Sequence, residues 1–132
     1  MEIALLSLVT GDASVTALLG DRINWLRRPE DVSALPAMVM QRIGGTPAYD
    51  FSGPSGITES RVQFDIWGAT YEAAKSAANA VEDLISGYRG TVGSTDFQGI
   101  FIDSHRDSED AELKEQTRLF RVTIDARVWH TT

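Results

Sequence analysis

Residues 61–67, RVQFDIW, alternate strictly: Val62, Phe64 and Ile66 are apolar and sit between Arg61, Gln63, Asp65 and Trp67. Successive side chains of an extended chain point to opposite faces, so this stretch must lay one face on a core and keep the other polar. Immediately afterwards, in ATYEAAKSAANAVEDLISG (69–87), the apolar spacing changes to three and four. Tyr71, Ala74, Ala78, Val81 and Ile85 then form one stripe of a helix. Thr70 is placed to cap that helix, Glu72 lies in its first turn, and Gly87 follows its end. A one-faced strand running into a one-faced helix predicts a layer of helix on sheet.

The motif has an echo. RVTIDARVW (121–129) repeats the Arg-Val-x-apolar-Asp pattern of 61–65, but nothing around it recurs, so an internal repeat is not supported. Two neighbouring strands under the same inside–outside demand account for it better. Other strand candidates are LPAMVMQRIGG (35–45) and IFIDSHRD (100–107). Residues 2–9 and ASVTALL (13–19) read as two short helices, ended by Gly11 and Gly20, with Asp12 capping the second. DRINWL (21–26) reads as a short extended piece.

The fold class predicted is α+β, as one domain over 1–132. It consists of a four-stranded, mainly antiparallel sheet, one long helix on one face, and two short N-terminal helices. With strands A (35–45), B (61–68), C (100–107) and D (117–130), a right-handed crossover through the helix gives the order A-B-D-C. B and D are then antiparallel neighbours. The register expected from charge sets Arg61 against Asp125 and Asp65 against Arg121, with Val62 facing Ile124 and Phe64 facing Val122. Residues 45–60 are expected as a long loop or hairpin arm, 88–99 as a flexible connection, and 103–116 as a solvated hairpin tip.

Net charge is −7, which argues against a protein that grips nucleic acid from outside, because such proteins need cationic surface. There is no cysteine, hence no disulfide or thiolate chemistry. The N-terminus lacks the basic region of an export signal, and no apolar run is long enough for a membrane span. Catalytic readings are poorly supported. Asp65 and Asp125 could form a carboxylate pair, but the expected register gives each its own arginine. Asp103, His105, Asp107 and Glu109 alternate and could share a face toward a metal, yet they fail the calcium-loop pattern at Ser108 and Lys114. The expectation is no enzyme activity, no cofactor and no metal. Candidate interface residues are the aromatics Tyr49, Phe51, Trp67 and Trp129, and the acidic arm residues Asp107, Glu109 and Asp110.

Four stretches, in order, make the chain similar to a known family: DASVTALLGDRI, LPAMVMQRIGGTP, GPSGITESRVQFDIWGATYEAAKSAANAVEDLI and RLFRVTIDARVWH. The chain resembles the tail completion proteins of long-tailed bacteriophages, which include tail terminators and tail-to-head joining proteins and occur also in gene transfer agents. The resemblance implies a structural virion protein without catalytic residues. It implies a homo-oligomeric ring, typically a hexamer, at the head-proximal end of the tail, assembled in the host bacterial cytoplasm. Its partners would be the tail-tube protein and a head-connector, adaptor or stopper protein, with DNA passing through the lumen and no membrane contact. The alternative is a small α+β ligand-binding or regulatory module.

Overall fold

A computed structural model describes residues 1–26, 35–114 and 117–131, and between 109 and 118 the backbone only. The chain forms α1 (Glu2–Thr10), α2 (Ala13–Leu19), β1 (Ile23–Trp25), β2 (Ala37–Asp50), β3 (Gly53–Gly68), α3 (Tyr71–Ile85), β4 (Gly90–Val92), β5 (Thr95–Lys114) and β6 (Thr117–Thr131). These strands make one six-stranded sheet in the order β1-β2-β3-β6-β5-β4, curled into a half-barrel.

This corrects the four-stranded expectation. Two further strands of three residues each stand at the edges, and β1 runs parallel to β2, so the sheet is mixed. Strand is also the dominant element, because the stretches expected as a loop or hairpin arm, a flexible connection and a hairpin tip are themselves largely strand. Residues 45–60 are the tip half of the β2–β3 hairpin, whose last pair is Asp50↔Gly53. Residues 103–114 belong to β5, which pairs with β6 out to Lys114↔Thr117. Within 88–99, β4 forms a hairpin with the start of β5.

The core lies between the sheet and the helices. Val62, Phe64 and Ile66 of β3 and Val122, Ile124, Ala126 and Val128 of β6 are buried there. From α3 come Ala74, Ala77, Ala78, Val81 and Ile85. Alanine dominates this helix face, which lets it approach the sheet closely. Tyr71, expected in the stripe, instead stands at its end and is partly exposed, and Ala77 takes part in its place. Thr70 caps the helix, its side chain accepting from the Ala73 amide at 3.1 Å. Gly87 follows it with φ of 75°, a conformation that favours glycine.

Gly68, where β3 hands over to α3, is a close-approach position. A Cβ there would lie 2.7 Å from the Ala74 nitrogen and 2.9 Å from the Thr70 oxygen, both backbone atoms. Gly68→Ala is therefore expected to cost about 1–3 kcal/mol by overpacking, measured as a lower urea midpoint at unchanged m-value.

Two hairpin arms leave the sheet at opposite ends. β3 and β6 stay paired from Ile57↔Thr131 to Gly68↔Phe120. Beyond the first of these pairs, β2 and β3 continue alone to their turn at 51–52. Beyond the second, β5 and β6 continue alone in the other direction.

Candidate assembly interface

The face of the sheet turned away from α3 carries a band of charge. The expected register is off by two residues: Arg61 lies opposite Arg127, Gln63 opposite Asp125, Asp65 opposite Thr123, and Trp67 opposite Arg121. A two-residue shift leaves every side chain on its expected face. The apolar pairs become Val62↔Ala126, Phe64↔Ile124 and Ile66↔Val122. Core packing of whole side chains outweighs exposed charge pairs worth about 0.2–1 kcal/mol each, so the core sets the register.

Like charges face each other at Arg61 and Arg127, and β5 resolves the conflict. A bulge between Ile102 and Ser104 inserts Asp103 into that strand. Its carboxylate accepts from Arg127 Nε at 2.8 Å and lies 3.7 Å from Arg61 Nη2. Asp125 accepts from Arg106 at 2.7 Å and from Ser104 at 2.9 Å through one oxygen. Its other oxygen is buried with no hydrogen-bond partner among the described residues, beside a cleft of about 290 Å³ that Ile43, Arg61 and Gln63 also line. Asp65 is buried and accepts from Thr123 Oγ1 at 2.7 Å and Gln63 Nε2 at 2.8 Å. The arginine partner of Asp125 therefore comes from the next strand, Asp65 is held by neutral donors, and the two carboxylates sit in separate hydrogen-bond sets.

The same bulge breaks the alternation expected of Asp103, His105 and Asp107. Asp103 goes to the bare face, whereas His105 and Asp107 turn toward α3. Lys75 Nζ lies 2.9 Å from His105 Nε2 and 3.1 Å from Asp107, and Tyr71 donates to Asp107 at 2.8 Å. His105 Nδ1 is 3.0 Å from Glu82. The Tyr71 hydroxyl, with the Lys75 ammonium beside it, holds the Asp107 carboxyl below the usual carboxylate range. These contacts tie the base of the β5–β6 arm to the helix. The side chains of Glu109 and Asp110 lie outside the described residues.

The four aromatic candidates separate into three settings. Trp67 is 5% exposed, packed with Val39 and Leu119, with the Arg121 guanidinium 6.0 Å above its ring. It belongs to a small second core on the bare face and is not displayed to a partner. Trp129 is half-buried and lines an apolar hollow of about 420 Å³ with Ala48, Ile57, Gln98 and Phe101. Phe101 is 48% exposed and was not singled out from sequence, although its alternation with Ile100 and Ile102 marked it as the outward residue. Tyr49 and Phe51, at the tip of the β2–β3 arm, are freely exposed.

At the end of β6, His130 is buried on the helix face, its Nε2 2.7 Å from Ser60 Oγ and its Nδ1 2.8 Å from the Thr131 carbonyl. The carbonyl requires Nδ1 to donate, and in the neutral ring Nε2 then accepts from the Ser60 hydroxyl. Burial lowers its pKa. A lowered folded-state pKa contributes stability that is complete above the unfolded value of about 6.5 and is lost as pH falls toward the folded value. The wild type is expected to lose stability more steeply than His130→Gln between about pH 6.5 and 5, read from urea midpoints across that range.

A curled sheet with arms at both ends, a charge-compensated face and exposed arm aromatics gives the chain several unlike surfaces and no catalytic grouping among the described residues. The class is a structural protein of the phage tail. The family model of tail completion protein gp17 matches residues 3–131, and the chain belongs to that family. Membership places it in the tail of a phage or phage-like virion. No curated protein matches at the sequence level. Among solved structures, a chain of the virion of a native gene transfer agent particle shares the fold, with a TM-score of 0.78 at 18% identity. That alignment covers 100% of this chain and 95% of the other.

Proposed function

We propose that this chain is the tail terminator: copies close into a ring, a hexamer, at the head-proximal end of the tail. The ring stops polymerisation of the tube, receives the head-side connector or stopper protein, and lets DNA pass through its lumen. It is made in the host bacterial cytoplasm and acts without catalysis. The observation that carries this reading is the pair of arms at opposite ends of one sheet. A subunit set between a tube and a head must bind in both axial directions and also to its neighbours in the ring. Cyclic closure requires two unlike lateral faces, and the opposite edges of this sheet are unlike. An acidic chain suits a conduit that DNA must not adhere to.

The test is electron microscopy of particles made without this chain. Overlong or headless tails are expected, whereas normal particles would refute the proposal. Solution mass, alone and with the tail-tube protein, then gives the ring order.

A further inference from the structure

The geometry points to a lateral joint made by backbone pairing: the free edge of β5 in one copy adds to the free edge of β2 in the next. This rests on the ring reading and names the surface that closes the ring. The short outermost strands cover little of their neighbours. β1 pairs with β2 only at Met38–Met40, and β4 pairs with β5 only at Thr95–Phe97. Past these, Gly87 donates to the Ile100 carbonyl at 2.8 Å. Beyond that, among the described residues, no strand lies on the side of β5 away from β6 from Phe101 to Lys114, or on the side of β2 away from β3 from Gln41 to Asp50.

Such edges present rows of amide and carbonyl groups that template pairing, and monomeric proteins blunt them with proline, lysine or a cover. Phe101–Lys114 contains no proline, and its only lysine is at the arm's end. Its described charged side chains are occupied on the two faces: Asp103 and Arg106 on the bare face, and His105 and Asp107 against α3. They leave the edge itself clear. On β2, Pro47 lacks an amide hydrogen, so the best-suited stretch there is Gln41–Thr46.

Strand direction favours another copy as the occupant. Direction alternates across β2, β3, β6 and β5, so β2 and β5 run oppositely. Rotation about an axis along the sheet preserves direction. β5 of one copy therefore meets β2 of the next antiparallel, which continues the ladder without interruption. The two free stretches lie toward opposite ends of the sheet, so neighbours must be staggered along the strands. Strands tilted against the axis of a closed ring of sheet provide that stagger.

Hydrogen exchange on the full chain tests this without knowledge of register. Peptides spanning 41–46 and 101–114 are compared in monomer and in ring. Exchange at both is expected to slow by at least about tenfold on assembly, with 62–66 and 122–126 unchanged. A ring that forms with neither edge protected overturns the joint and leaves the terminator reading intact. Protection of 101–114 alone in a dimer marks like edges meeting across a two-fold, and overturns it too. Protection of 41–46 only when the tail-tube protein is added assigns that edge to a different partner, with the same consequence. A chain that stays monomeric even with the tube protein overturns the ring and the joint together.

Discussion

Phe64→Ala is expected to remove about 3–5 kcal/mol of stability, which is much of the margin of about 5–15 kcal/mol that holds a domain of this size together. Phe64 is 0% exposed, at the centre of β3, with Ile124 opposite it on β6 and Met40 opposite it on β2. Its ring fills the space under the alanine face of α3. Those alanines are too short to extend into the void, which leaves Met40 and Ile124 as the cross-strand side chains that could fill part of it. The variant should lower the midpoint of thermal unfolding by about 10–20 °C. A shift of only a few degrees would mean that the helix collapses onto the sheet, contrary to the backbone contact limits seen at Gly68.

A double substitution at the arm tip, Tyr49→Ser with Phe51→Ser, should behave in the opposite way. Both residues are exposed, and neither supports the core. Stability should stay within about 0.5 kcal/mol of wild type. If the tip docks on the adjoining ring, losing two aromatic anchors should weaken that contact by at least about 2 kcal/mol, or about thirtyfold. The yield of complete particles in a complementation assay should fall accordingly. Normal yield with normal stability would assign the tip no part in assembly. The pair of variants separates failure to fold from failure to join.

What could be read in the sequence was set by side chains acting in groups. The alternation at 61–67 assigned Val62, Phe64 and Ile66 to the core, and the spacing from Ala74 to Ile85 assigned a helix to cover them. Features decided by few residues escaped. Strand β4 has three residues, too few for a period to register, and β1, legible as a short extended piece within 21–26, is equally too short to reveal that it joins the sheet. The register of β3 on β6 was expected from charge, the weaker force, and core packing moved it by two. Trp67 looked displayed because it alternates with core residues, but Val39 and Leu119 cover it from the side that sequence marks as outer. A hairpin was legible at both arms, but the extent of their strands was not, because glycine, serine and acidic residues are poor strand formers. Their pairing comes from the opposing strand of each hairpin and not from their own composition.

Asp103 illustrates a further economy. It is the extra residue of the bulge, so the ladder on either side of it, Ile102↔Ala126 and Ser104↔Asp125, is continuous without it. A chain lacking Asp103 could keep the same partners and faces throughout the arm, and would lose only the anion that separates Arg61 from Arg127. Surface charge at this point is therefore independent of the architecture beneath it. A single inserted codon is thus enough to retune the exposed face of the sheet while the fold that carries it stays the same.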